Sequence, residues 1–195
     1  MQGTLVTIAK DVKIQIEFNP ARVAAYRLIG YENRMLRAED FNDDTKDAGE
    51  IGAGHTVTAL YELVPAGMSV PTPPVDPLKY QPAQPATAAP EESTPMSDEV
   101  FTLKIRYKQP DGDVSTKQEF PTRDDGLHYA QADADYKFAA AAAGFGLLLR
   151  GSEYKGSLTH DAVLELAEDG QGADRFGYRQ EFIHLVQKAK SLGPR

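Results

Sequence analysis

The residues best suited to chemistry lie in EDFNDDTKDAGEIGAGHTVTALYE, Glu39 to Glu62, which sets acidic side chains, three glycines and a histidine ahead of an alternating stretch. Such a segment could hold a metal ion, cradle a phosphate, or serve only as a shaped turn. A calcium loop of the EF-hand type needs oxygens at positions 1, 3, 5 and 12 and a glycine at position 6. Counting from Asp40 gives Asn42 and Asp44, but position 6 is Thr45 and position 12 is Ile51. Asp43, Asp44, Asp47 and Glu50 would therefore hold calcium only loosely, and a solvated acidic loop is the expectation.

The glycines of GEIGAG, Gly49 to Gly54, do not follow the phosphate pattern. A dinucleotide loop joins a strand to a following helix, whose N-terminus meets the pyrophosphate. Here the glycines run in the order G-x-x-G-x-G and precede a strand pattern, with no Walker lysine. They are expected to supply turn dihedrals. His55, His128, His160 and His184 lack pairwise ligand spacing. No G-x-S-x-G elbow marks a serine nucleophile. Tyr26, Tyr31 and Tyr61 could stack on a sugar, although alternation explains Tyr61 equally well as a core residue. No catalytic, cofactor-binding or metal residue is assigned.

Strands must position whatever these residues do. In VKIQIEF, Val12, Ile14, Ile16 and Phe18 alternate with Lys13, Gln15 and Glu17, which places the apolar four on a buried face and the polar three in water. Asn19-Pro20 ends that strand. AYRLIGYEN (25–33) and HTVTALYELV (55–64) are further strand patterns, and one-sided burial suits an antiparallel sheet. FTLKIRY sets Phe101, Leu103, Ile105 and Tyr107 on one face. Gln109-Pro110-Asp111-Gly112-Asp113 then turns the chain back toward Phe120, predicting a hairpin.

From Asp133 the period becomes helical. Phe138, Ala142, Phe145 and Leu149 form one stripe, with Gly151 as C-cap. A second helix is predicted near Thr159 to Ala167, capped by Ser157 or Thr159. A third runs from about Arg175 to Ser191, with Tyr178, Phe182, Leu185 and Ala189 on one side.

The predicted fold class is α+β: an antiparallel β-sandwich-like domain followed by a three-helix C-terminal segment. Residues 1–64 would form the β-rich half, 65–99 a proline-rich linker or long loop, 100–122 the completing hairpin, and 130–192 the helices. The linker reading rests on nine of the thirteen prolines falling within residues 65–98.

Composition narrows the function. The net charge of −8 leaves no concentrated cationic surface for displacing counterions from phosphates, so nucleic acid is not an expected partner. The absence of cysteine removes disulfides, thiolate nucleophiles and Cys-ligated zinc. No apolar run approaches the ~20 residues of a membrane helix, and no signal peptide opens the chain. Strand pattern begins almost at Met1, which suggests a piece of a longer protein with Met1 added.

VKIQIEFNPARVAAYRLIGYENRMLRAEDFNDDTKDAGEIGAGHTVTALYELVP resembles the C-terminal region, of unknown function, of bacterial von Willebrand factor type A (VWA) domain proteins. The likeness continues at LKIRYKQPDGD, DYKFAAAAAGFGLLLRGSEYKG and FGYRQEF. The resemblance implies a VWA domain just upstream, carrying a D-x-S-x-S adhesion site for magnesium or another divalent cation. That motif is absent from these 195 residues, so no cofactor is expected within them. The resemblance also implies an extracytoplasmic, envelope-associated protein, often a lipoprotein. Its expected partners are the upstream VWA domain and an envelope or extracellular protein. The expected function is thus a non-enzymatic accessory or interaction domain; the alternative is an autonomous carbohydrate- or peptide-binding module.

Overall fold

The computed structural model describes residues 6–31, 35–46, 48–69 and 98–193. Most of the expected linker, residues 70–97, lies outside the described residues, as does Asp47. The fold is α+β, with two antiparallel sheets and three helices toward the C-terminus. Contacts group the chain into two units. One contains residues 1–27, 34–56 and 62–124; the other contains 28–33, 57–61 and 125–195.

The first unit is built on a four-stranded sheet. Strands β1 (Thr7–Phe18), β2 (Val23–Ile29), β3 (Gly49–Gly52), β4 (Leu60–Pro65), β5 (Glu99–Lys108) and β6 (Ser115–Arg123) follow in chain order. The large sheet runs β3-β1-β5-β6, while β2 and β4 pair separately. β1 ends at Phe18, ahead of Pro20, and the β5–β6 hairpin turns at Gly112, whose N–H donates to the Gln109 carbonyl at 3.0 Å.

Two strand boundaries differ from expectation. The glycine-rich stretch is itself β3, with Gly52 opposite Thr7 and Gly49 opposite Val12. Residues 55–59 are not strand, and β4 begins only at Leu60. The turn after β3 uses Gly54 at φ +74°, and the His55 N–H donates to the Gly52 carbonyl.

In the register of the large sheet, Ile14 faces Ile105, Ile16 faces Leu103 and Phe18 faces Phe101, while Leu103 faces Phe120 on β6. Cross-strand partners share a face, so the apolar alternation is as predicted. Its direction of burial is not. Lys13 is 1% exposed, whereas Ile14 is 50% exposed. The acidic segment lies over the polar face, as shown by its hydrogen bonds below, and buries Lys13 there.

The second unit holds α1 (Ala134–Leu149), α2 (His160–Asp169) and α3 (Tyr178–Leu192). Asp133 caps α1, accepting from the Tyr136 N–H at 2.7 Å, and Thr159 caps α2, accepting from Ala162 at 3.2 Å. At the end of α1 the Ser152 N–H donates to the Leu147 carbonyl and the Gly151 N–H to that of Leu148. With Gly151 at φ +59°, this is a Schellman motif. α3 starts at Tyr178 rather than Arg175, because Gly177 ends the preceding loop at φ +74°.

The buried clusters lie among these helices. Ala141, Ala167 and Ile183 form one; Phe145, Val163 and Val186 form the other. Phe182 joins them edge-on, 5.1 Å from Phe138 and 5.6 Å from Phe145. Both predicted stripes are therefore rotated. Ala142 and Leu149 face out while Ala141 and Leu147 are buried; Tyr178 and Leu185 are exposed while Ile183 and Val186 are buried. The alanine run explains the first rotation: small residues all round α1 let neighbouring helices choose the side.

Candidate functional site

A dense group of ionisable side chains in the first unit lies where the acidic segment meets the polar face of the large sheet. β5 presents Lys104, Arg106 and Lys108 at alternate positions, hence on one face. Lys13 joins them from β1, directly opposite Arg106. This cationic row was not singled out from the sequence, although the pattern K-x-R-x-K in LKIRYK carries the signal.

β1 meets the row through a bulge. Lys10 pairs with Lys108 and Lys13 with Arg106, so β1 uses three steps where β5 uses two. The extra residue is accommodated at Asp11, whose φ is +54°. The left-handed region costs free energy for a residue other than glycine, though aspartate tolerates it better than most. The bulge puts Lys10 and Lys13 on the same face despite their odd spacing. Asp11 then sits between two lysines: its Oδ2 lies 2.8 Å from Lys108 Nζ and its Oδ1 3.7 Å from Lys13 Nζ. That Oδ1 is buried and makes no hydrogen bond among the described residues.

The acidic segment supplies the remaining counter-charge. Arg106 grips Asp44 with Nε–Oδ1 at 3.2 Å and Nη2–Oδ2 at 3.0 Å, and Ser115 Oγ also donates to Asp44. Lys108 donates to the Asp44 carbonyl and Lys13 to that of Asp43. Asp43 folds its own turn, its Oδ1 accepting from the Thr45 N–H at 2.9 Å and from its hydroxyl. Asp40, nearly buried, receives both prongs of Arg37 at 3.0 and 3.1 Å, and Phe41 is buried beside it.

The electrostatics follow. Hydrogen bonds from Arg106 and then Ser115 pull the Asp44 pKa down to about 2. Asp40 is lowered by Arg37, and Asp43 by Thr45. Lys108 is raised, chiefly by its bond to Asp11. Each shift favours the charged form. These groups are therefore held away from the near-neutral pKa that a general acid or base needs.

A cleft of about 260 Å³ opens beside the cluster, lined by Lys10, Asp11, Asp44, Thr45, Glu50, Lys108 and Asp113. Among the described residues no group of three or more His, Cys, Asp or Glu side chains is arranged to hold a metal ion. Of the four loose calcium candidates, Asp44 is spent on Arg106 and Asp43 on Thr45; Glu50 lines the cleft and Asp47 lies outside the described residues.

The histidines stay dispersed. His55 is exposed, the His128 N–H donates to Gln131 Oε1, the His160 ring stands 6.3 Å from Phe145, and His184 contacts Gln180 at 3.1 Å. Of the tyrosines, Tyr26 stacks on Phe18 at 4.4 Å, Tyr31 is half exposed, and Tyr61 is partly buried on β4. Among the described residues no helix is long and apolar enough to cross a membrane.

The family model described as the C-terminal part of uncharacterized protein YfbK matches residues 3–192. The uncharacterized protein YfbK of Escherichia coli (strain K12) is 44% identical over 195 residues, covering 98% of this chain and 32% of that protein. The chain thus spans about a third of the length of the curated relative it matches. No solved structure matches. Since the family match runs almost from end to end, the chain belongs to the family defined by the C-terminal part of YfbK.

Proposed function

We propose that this chain is a non-enzymatic accessory domain in the C-terminal part of a longer bacterial envelope protein. There it braces or extends metal-dependent protein binding by a VWA domain upstream. The observation that supports this most directly is the pairing of its charged cluster: Asp44 with Arg106, Asp11 with Lys108, and Lys13 with the Asp43 carbonyl. Reactive centres leave an acid, base or nucleophile poised near the working pH, whereas this network commits its groups to one another. Such a network fastens a loop to a sheet. The resemblance to VWA proteins and the threefold greater length of the relative supply the rest of the reading.

The divalent cation then belongs to the upstream domain, and the location is extracytoplasmic. The test is thermal unfolding of the 195-residue chain beside the longer protein. A merged transition in the longer protein, with a lower melt for the isolated chain, supports a structural arm. Identical separate transitions overturn it.

A second reading, a carbohydrate- or peptide-binding module, is favoured by one feature. Phe176 and Tyr178 are 76% and 71% exposed, with their rings 6.0 Å apart, where the loop pinned by the Asp174 carboxylate meets the start of α3. Retained binding to a glycan or peptide array that is lost in the F176A/Y178A double variant would carry that reading.

A further inference from the structure

We infer that the apolar face of the large sheet is the seat of the preceding part of the longer protein, an inference that rests on the accessory-domain reading above. β5 is an inner strand, flanked by β1 and β6, yet none of its ten residues is buried. On the polar face that is expected, because Lys104, Arg106 and Lys108 are paired with Glu17, Asp44 and Asp11. On the other face it is a discrepancy, since Leu103 and Ile105 lie between Ile14 and Ile16 on one side and Phe120 on the other. Ile14 is 50% exposed and Phe120 45%, with Ile16, Leu103 and Ile105 only half-buried. The buried hydrophobic clusters of the described residues all lie among the helices instead.

A contiguous apolar patch with a polar border is the signature of an interface, because isolated apolar residues are common on surfaces but apolar rows across three strands are not. Gln118 and Thr122 border this one on β6, opposite Ile105 and Phe101. The exposed edge does not invite strand addition: β6 carries Lys117, Glu119 and Pro121, the residues that blunt edges. The face is left as the docking surface.

Chain length identifies the occupant. The YfbK relative devotes 32% of its chain to this region, and the matching family model is the C-terminal one. The other two thirds of such a protein precede it, and β1, which contributes Ile14 and Ile16, is the first strand among the described residues. The preceding region therefore meets this sheet first and is tethered next to it, which raises its effective concentration at the face. Its complementary surface must be apolar and low in charge at the centre.

The experiment uses the longer protein with single cysteines at Ile14, Phe120 and, as a control on α3, Leu185, which is 54% exposed. The expected result is maleimide labelling at I14C and F120C slower than at L185C by about tenfold or more, since a covered thiol reacts only from opened states. Labelling at equal rates overturns the inference even if the melting transitions merge, so it can fail while the accessory reading stands. Slow labelling that becomes fast on dilution assigns the face to a second copy and also overturns it. Phe120→Asp supplies an independent check: it should split a merged melt in two. A merged melt that survives F120D together with slow labelling shows the face to be covered within this region itself, which again overturns the inference.

Discussion

Arg106 on β5 and Asp44 in the acidic segment, 62 residues apart in sequence, meet through two hydrogen bonds of 3.2 and 3.0 Å. The planar guanidinium matches both carboxylate oxygens at once, a geometry that a lysine ammonium cannot reproduce. The pair is partly exposed, with side chains 20% and 41% accessible, so its contribution is modest and screened by salt. R106A is expected to lower the melting midpoint by a few degrees and to speed amide exchange around residues 43–46. R106K should restore only part of this despite keeping the charge. Equal behaviour of R106K and the parent would show that net charge, not the fork, holds the segment.

Acid should release the same segment. A carboxylate with a folded pKa of about 2 and an ordinary value of 3.8 binds fewer protons folded than unfolded between those values. Its contribution is complete above about pH 4 and is lost as pH falls toward about 2. Asp40 and Asp43 are lowered too, so D44N should flatten the acid limb of a stability curve without abolishing it. Lys108 acts in the opposite sense. Its raised pKa makes its contribution complete below its ordinary 10.5 and lost only as pH climbs past the raised folded value. Chemical denaturation of D44N at pH 2.5, 4 and 7 checks the acid limb; an unchanged slope would sink the assignment.

Much of this was legible in the residues. Period-2 alternation located β1 and the β5–β6 hairpin, the change to a helical period placed the start of α1 at Asp133, and capping chemistry offered Thr159 beside Ser157 for α2, because all three signals are local. What failed was which side is buried. Lys13 reads as solvent-facing until the segment around Asp43 and Asp44 is seen lying on it, a contact spanning 30 residues that no window of alternation can contain. The bulge at Asp11 was equally hidden, since an aspartate at positive φ leaves no pattern of its own. On α1 the alanine run erased the amphipathic stripe, so its buried side was set by α2 and α3. The acidic segment read as solvated because its counter-ions sit on another strand, at alternate positions of LKIRYK.

Two glycines in the helical unit should respond oppositely to alanine. A Cβ at Gly170 would stand 2.4 Å from the Phe138 nitrogen and 2.9 Å from its Cα, both backbone atoms that cannot yield without moving α1. G170A should therefore destabilise strongly, by roughly 3 kcal/mol or more if the helices must separate. A Cβ at Gly146, inside α1, meets nothing within 4 Å. G146A should stabilise by up to about 1 kcal/mol through helix propensity alone. Urea unfolding of the two variants settles both signs. A neutral G170A would mean that the close approach of α2's end to α1 is not held in solution.

The buried charge on β1 allows a sharper test. Lys13 is 1% exposed, with its ammonium bonded to the Asp43 carbonyl and 3.7 Å from Asp11. Removing one member of a buried pair strands the other, so D11A should cost roughly 3 kcal/mol. Replacing the cation by a side chain of similar length removes the stranded charge. In a K13M background the cost of D11A should therefore shrink, although Lys108, 2.8 Å from Asp11, keeps it above zero. K13M alone should also destabilise, because it leaves the buried Asp11 Oδ1 without its nearby cation and the Asp43 carbonyl without its donor, although Lys108 keeps Asp11 paired. A double-mutant cycle over D11A and K13M measures the coupling directly. Additive effects would mean that Lys13 is held by the Asp43 carbonyl alone, and that Asp11 takes its strained backbone for Lys108.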